Sequence, residues 1–175
     1  MRLQRIDREK KKILRKQVPT DNSIICGTQN PSTLGCTFYE LEGGGVAVEF
    51  IAGRLHEGHG HMMHGGFIAA VLDEVMGRST NNAGIPTDKP FVTAEMTTYF
   101  QCPIEVGKKM YAFGRVERSE GRRYYATGEI VDEEGIVMAR GTGVYVKVER
   151  AGDDKSEDYD GIPTLELDEK DPVML

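Results

Sequence analysis

Between Gly66 and Ser79 the chain reads GFIAAVLDEVMGRS, the one long apolar run whose ends suit a helix. It interrupts a series of segments with the look of strands. Ahead of it, Cys36 to Leu41 and Val46 to Ile51 are separated by EGGG and read as a hairpin. Behind it, after the breakers NNAGIPTDKP, come Phe91 to Cys102, Met110 to Arg118, Arg123 to Val131 and Ile136 to Val148. Turn signals at PIEVGKK, SEGR and DEEG divide these, and short turns imply antiparallel neighbours. Strands, one helix, then more strands is an α+β order in which one sheet of about five to six strands wraps a central helix.

The ends of the chain differ from this middle. The first segment, MRLQRIDREKKKILRKQ, is basic, and its Leu3, Ile6, Ile13 and Leu14 recur at helical spacing, which predicts an extra, docked amphipathic helix. The last, from Asp153, is acidic, so the two ends can attract each other. The expected division is a basic helix and connector over 1–23, the main domain over 24–149, and a partly disordered acidic tail over 150–175. With 175 residues, 39% apolar and 29% charged, the chain suits one soluble domain with a real core. No apolar run is long enough to cross a bilayer and the N-terminus lacks a signal peptide's apolar centre, so a cytoplasmic location and no membrane partner are expected. No nucleic-acid reading motif accompanies the basic segment, so no nucleic-acid partner is expected either. Cys26, Cys36 and Cys102 are odd in number and widely spaced, and read as reduced thiols.

On a helical wheel Phe67, Ile68, Val71, Leu72, Val75 and Met76 cover about half of the circumference. The opposite arc holds Ala69, Ala70, Asp73 and Gly77, with Glu74 and Arg78 at its border. A solvated face normally carries Lys, Glu or Gln, so a carboxylate among Ala and Gly points to close packing by a second subunit or a ligand. Glu74 and Arg78, at i,i+4 spacing, read as an exposed ion pair. At the start of the same helix, His64-Gly65-Gly66 places two glycines where backbone N–H groups lack intrahelical partners. Uncovered amides can meet a carbonyl oxygen that becomes an oxyanion, and a carboxylate further along can act as a general base or attack the carbonyl itself. The combination suits hydrolysis of an activated ester.

These residues resemble the hotdog-fold acyl-CoA thioesterases, specifically the phenylacetate-degradation-type (PaaI-like) branch. The likeness rests on His64-Gly65-Gly66, then Asp73-Glu74, then Val92-Thr93-Ala94-Glu95-Met96, with ICGTQNPSTLG, CPIEVGKK, SEGRRYY and MARGTGVYV around them, and covers about residues 24–148. It implies a hotdog sheet around the helix, dimers joined edge to edge, often paired again into tetramers, and an active site between protomers. It further implies that Asp73 activates water or attacks the thioester, that Gly65, with Gly66 beside it, supplies oxyanion amides from the partner, and that His64 orients the loop or the substrate carbonyl. Thr93 matches a Ser or Thr that places the water or carboxylate. Simple alternation puts Thr93 on the face of Glu95 and Thr97, opposite Val92, Ala94 and Met96, without saying which face meets the partner. Two departures from the family pattern are Gly60-His61 where Pro-Gly is common, and Gly58 where some members carry Asn or Gln. Coenzyme A would enter as part of the substrate, with no separate cofactor. Its phosphates favour Arg and Lys, here Arg122, Arg123 and Arg78, with Lys108 and Lys109 further candidates. Met62, Met63 and Phe67 suit the lining of an acyl tunnel.

Three other readings compete. His56, His59, His61 and His64 are all the histidines of the chain and crowd into one loop. With Glu57 they could ligate zinc or nickel, but Gly58 and Gly60 break the rigid helical spacing such sites use, and no metal is expected. A hotdog dehydratase would share the fold and thioester but use other His and carboxylate motifs. A non-catalytic acyl-CoA sensor or assembly module would use nearly the same residues.

Overall fold

The computed structural model describes residues 4–6, 10–83, 90–148 and 162–175. Its elements run β1 (Ile13–Gln17), β2 (Thr37–Leu41), β3 (Val46–Ile51), α1 (Gly65–Ser79), β4 (Phe91–Phe100), β5 (Lys109–Glu120), β6 (Arg123–Asp132), β7 (Val137–Lys147) and β8 (Thr164–Leu165). They form one antiparallel sheet in the order β4-β7-β6-β5-β3-β2-β1-β8, curled around α1, as a hotdog fold requires. The six strands read from the sequence are β2 to β7. The eight-stranded sheet exceeds that expectation because β1 and β8 extend it at the edge away from β4.

Helix and sheet meet closely because a row of glycines crosses the inner face. Gly114 pairs with Gly128 and Gly128 with Gly141 on three successive strands. A Cβ on Gly114 would lie 2.3 Å from the Val75 carbonyl oxygen, and one on Gly128 would lie 2.9 Å from Met76 Cγ. Bare backbone at these positions lets Val71, Leu72, Val75 and Met76, all fully buried, seat directly on the sheet.

The N-terminal expectation needs correction. Ile13–Gln17 is a strand, paired with β2 and β8, and the helical reading of 1–3 and 7–9 lies outside the described residues. The reason is tertiary. β2 offers an unpaired edge whose backbone groups need partners, and a strand there buries both Ile13 and Gln17 while Leu14 faces out. Gln17 reaches inward, donating from Nε2 to Glu40 Oε1 (3.1 Å) and to the Arg78 carbonyl (3.3 Å). The tail expectation also changes. Residues 149–161 lie outside the described ones, but 162–175 lies against the sheet, with Lys16 Nζ 2.7 Å from both Asp168 and Asp171. The opposite charges of the two ends do meet. Ile6, Leu167 and Leu175 cover an apolar cluster of Ile13, Tyr39, Ala47, Tyr111 and Val137 on the outer face of the sheet. No described helix is long and apolar enough to cross a membrane.

Candidate functional site

Asp73 lies on the sheet-facing border of α1, half-buried, and receives two hydrogen bonds on the same oxygen. Thr93 Oγ1 donates to Oδ1 at 2.9 Å, and the Tyr145 hydroxyl donates to Oδ1 at 2.9 Å while lying 3.0 Å from the Asp73 carbonyl oxygen. Thr93 and Tyr145 are direct cross-strand partners on β4 and β7, which is why their hydroxyls converge. A bulge between Thr93 and Glu95 resets the alternation of β4. Thr93 therefore shares the inner face with Met96, which packs on the core, and the simple alternation that grouped it with Glu95 and Thr97 does not hold.

Tyr145 was not singled out from the sequence. It is 2% exposed, and it occupies space made by two glycines: a Cβ on Gly77 would sit 3.2 Å from its Cε1, and one on Gly143 would sit 2.8 Å from its Cε2. The small-residue arc of α1 thus receives a side chain of the same chain at Gly77. The signal was present in β7, where Ala139, Gly141, Gly143 and Tyr145 alternate onto the inner face and end in a large aromatic beside the helical glycine. Burial, together with the negative charge of Asp73 and the hydrogen bond to it, pushes the Tyr145 hydroxyl far above its ordinary range, so it remains a donor.

At the other end of α1, His64 is the N-cap, and its Nδ1 accepts from the Gly66 N–H at 2.9 Å. This corrects the reading of two bare amides: Gly66 is occupied by the histidine ring, and a Cβ there would lie 2.9 Å from His64 Nδ1. The Gly65 N–H has no acceptor among the described residues. Because a backbone N–H can only donate, His64 Nδ1 must be the acceptor, which puts the ring proton on Nε2. Phe100, at the end of β4, lays its exposed ring 3.5 Å from where a Gly65 Cβ would stand.

The other histidines have separate surroundings. His56 is buried, with Nδ1 accepting from the Gly53 N–H (3.0 Å), Nε2 near the Ser32 carbonyl (3.3 Å), and its ring edge-on to Phe67. His61, at positive φ, lies 3.4 Å from Glu57. Among the described residues no three His, Cys, Asp or Glu side chains converge as a metal site would need.

Two of the residues assigned to substrate are buried in the protomer. Arg78 is buried, not exposed: its guanidinium donates to Glu74 Oε1 (2.7 Å) and Cys26 Sγ (3.1 Å) and covers the Phe38 ring (4.7 Å). Its donors are engaged in packing β1 and the connector against the helix. Met63 is also core, 4% exposed, with its N–H bonded to the Ile104 carbonyl. Phe67 is half-buried. Arg122 and Arg123 are exposed in the β5–β6 hairpin, at the end of the sheet that also carries Tyr145, since Arg123 pairs with Val146. Lys109 is tied to Glu49 at 3.0 Å. A groove of ≈ 550 Å³ on the outer face of the sheet is remote from Asp73, and its Arg115 and Arg140 pair with Glu117 and Glu129.

Residues 60–139 match the family model described as Thioesterase superfamily. No curated protein matches the sequence. Among solved structures, a thioesterase superfamily protein, RHA08564, is 23% identical with a TM-score of 0.67, over 73% of this chain and 61% of its own. The chain thus spans less than two thirds of that relative. The BH2602 protein of Bacillus halodurans, solved with CoA, is 26% identical with a TM-score of 0.61, over 68% of this chain and 78% of its own. The E. coli PaaI protein from the phenylacetic acid degradation operon is 18% identical with a TM-score of 0.59, over 66% of this chain and 81% of its own.

Proposed function

Because residues 60–139 match the Thioesterase superfamily model and the fold is the hotdog, we propose that the chain hydrolyses acyl-CoA or aryl-CoA thioesters at a site shared by two protomers. The observation that carries the reading is the Asp73 carboxylate held by two hydroxyls on the same helix whose first amide, Gly65, has no acceptor among the described residues. The CoA bound by the B. halodurans neighbour supports a CoA thioester over other activated esters.

Within one protomer the two halves are too far apart. Eight residues of helix separate Gly65 from Asp73, roughly 12 Å at 1.5 Å per residue. Strand β4 supplies the remedy, because it touches both ends: Thr93 meets Asp73 and Phe100 meets Gly65. It is also an edge strand of ten residues, largely exposed and without a neighbour on one side among the described residues, and such an edge calls for cover. Antiparallel pairing of β4 with its copy, centred between Met96 and Thr97, sets the partner's Phe100 opposite Thr93. Asp73 of one protomer then faces the partner's Gly65 amide, and a two-fold axis makes two such sites. Assembly of two dimers into a tetramer is compatible with this pairing.

In the proposed reaction Asp73 takes a proton from water, whose oxygen bonds to the thioester carbon. The carbonyl oxygen, becoming an oxyanion, accepts from the partner's Gly65 N–H, with the His64 Nε2–H a further donor at that loop. The C–S bond then breaks with its electron pair going to sulfur, and the proton passes from Asp73 to the thiolate, which leaves the acid and free CoA. If Asp73 attacks first, an anhydride forms and water cleaves it. A single turnover in ¹⁸O-water separates the two, since the anhydride route leaves the first acid product unlabelled when water attacks the Asp73 carbonyl. In this reading Arg122 and Arg123, exposed in the β5–β6 hairpin, meet the CoA phosphates, and Phe67 and Phe100 contact the acyl group. No cofactor beyond the substrate's own CoA is called for.

A panel of acyl- and aryl-CoA esters, read by release of free thiol, tests the reading. The wild type is expected to turn over, and Asp73→Asn to fold while losing about 10²- to 10⁴-fold in kcat. Full activity in Asp73→Asn would overturn the mechanism. CoA-ester binding without turnover in the wild type would replace it with a sensor.

A further inference from the structure

A carboxylate oxygen has two lone pairs, and at Asp73 Oδ1 both have partners, Thr93 Oγ1 and Tyr145 Oη, each at 2.9 Å. Oδ2 receives no hydrogen bond among the described residues. From this geometry we propose that Tyr145 is a positioning residue for thioester hydrolysis, which together with Thr93 fixes the Asp73 rotamer and commits the carboxylate to react through Oδ2. The proposal rests on the thioesterase reading above.

The two donors are not equivalent. Thr93 sits on β4, the exposed edge, whereas Tyr145 sits on the interior strand β7 with its ring enclosed between Gly77 and Gly143. A short hydroxyl on an edge strand can rotate, but a buried ring with two degrees of side-chain freedom cannot follow it. Tyr145 is therefore the fixed reference against which the carboxylate is set. Its single proton is shared between the Asp73 carbonyl oxygen and Oδ1 in a three-centre hydrogen bond, which ties backbone and side chain of the same residue. A tyrosine kept only for packing would need one acceptor to satisfy its buried hydroxyl, and the carbonyl already provides it. The second acceptor is the reacting carboxylate. In the reaction, Oδ2 takes the proton as the water O–H bond breaks and the C–O bond forms. After the C–S bond breaks, the same Oδ2–H gives that proton to the thiolate. Oδ1 keeps its two hydrogen bonds throughout.

Tyr145→Phe removes the hydroxyl and leaves the ring. A hydrogen bond to a charged group corresponds to a loss on the order of 10- to 100-fold, expected in kcat with KM within about twofold of wild type. Gly77→Ala provides a second variant, because its new Cβ would crowd Tyr145 Cε1 at 3.2 Å and shift the ring without deleting the donor. It is expected to lower kcat several-fold with KM again preserved. In a cycle with Thr93→Val, the double variant Tyr145→Phe/Thr93→Val is expected to differ from the sum of the singles, because both donors share one acceptor. Wild-type kcat in both Tyr145→Phe and Gly77→Ala would overturn the proposal while leaving the thioesterase reading standing. A wild type that hydrolyses no CoA ester would overturn both.

Discussion

His64 shows how one side chain decides what its neighbours do. Its Nδ1 caps the helix by accepting from Gly66, so of the two glycines after it only Gly65 keeps an amide free of protein acceptors among the described residues. Gly66 is glycine for a different reason, since any Cβ would collide with the His64 ring. The cap and the Nε2–H donor are separable. His64→Ala is expected to destabilise the fold by about 1 kcal/mol through loss of the cap. His64→Asn, which can cap, is expected to recover most of that stability while lacking the Nε2–H donor and so remaining slow on CoA esters. Thermal unfolding and kcat measured on both variants check this, and parallel recovery of both quantities in His64→Asn would show that capping is all His64 does. The site was partly legible at this scale. Asp73, Gly65 and His64 stand at short intervals on one helix and could be singled out locally, whereas Thr93 was named only through the family resemblance, because the bulge after it breaks the alternation that would have shown its face. Tyr145 was not legible, because its partner lies 72 residues away and only a folded sheet brings them together.

At the scale of elements, the contact between α1 and the sheet depends on glycines that no local rule demands. Gly114, Gly128 and Gly141 stand mid-strand, where glycine weakens a strand, and their use appears only when a helix backbone rests on them. The consequences of filling them should differ. A Cβ on Gly114 meets Val75 main-chain atoms at 2.3 Å, which cannot yield, whereas on Gly128 it meets the Met76 side chain at 2.9 Å, which can. Gly114→Ala is expected to cost about 3 kcal/mol and Gly128→Ala about 1 to 2 kcal/mol, read as midpoints in urea unfolding. Equal cost would mean that the helix shifts as easily as a methionine rotates. Strands β2 to β7 and α1 followed from periodicity and turn residues, which are local. Strand β1 did not, because Ile13 to Gln17 is too short for periodicity to separate helix from strand and the edge of β2 made the choice.

Over the whole molecule, the two charged ends form one structure on the outer face of the sheet. The Lys16 ammonium, and after it the Lys170 N–H, hold the Asp168 carboxyl below its ordinary range. Burial pushes Asp171 the other way, but the Asp168 N–H, Lys16 and the Tyr39 hydroxyl outweigh it, and the net shift is also downward. Carboxyls lowered on folding contribute stability that is present above their unfolded value, near pH 4, and lost as the pH falls through the folded values. Lys16, raised by the same contacts, keeps its charge until strongly alkaline pH. Amides of 162–175 are therefore expected to stay protected from hydrogen exchange from neutral pH down to about pH 4 and to lose protection below it. In Lys16→Ala the protection should already be weaker at neutral pH. Protection unchanged in that variant would assign the docking to the remaining contacts of the segment, the β1–β8 pairing, the Asn81–Ile162 hydrogen bonds and the packing of Leu167 and Leu175.

By itself, the sequence determined the α+β order, the central helix, its apolar face, and the pairing of a carboxylate with a glycine-led helix start. All of these depend on residues within a turn or a strand of each other. The tertiary structure decided that β1 is a strand, that Arg78 and Met63 belong to the core, that Gly66 is covered, and that Tyr145 clamps Asp73. Each of those turns on which distant surface competes for a given group: a sheet edge for a backbone, a half-buried carboxylate and a buried thiol for a guanidinium, a phenol for a carboxylate. Such competition is settled only when the whole chain is packed.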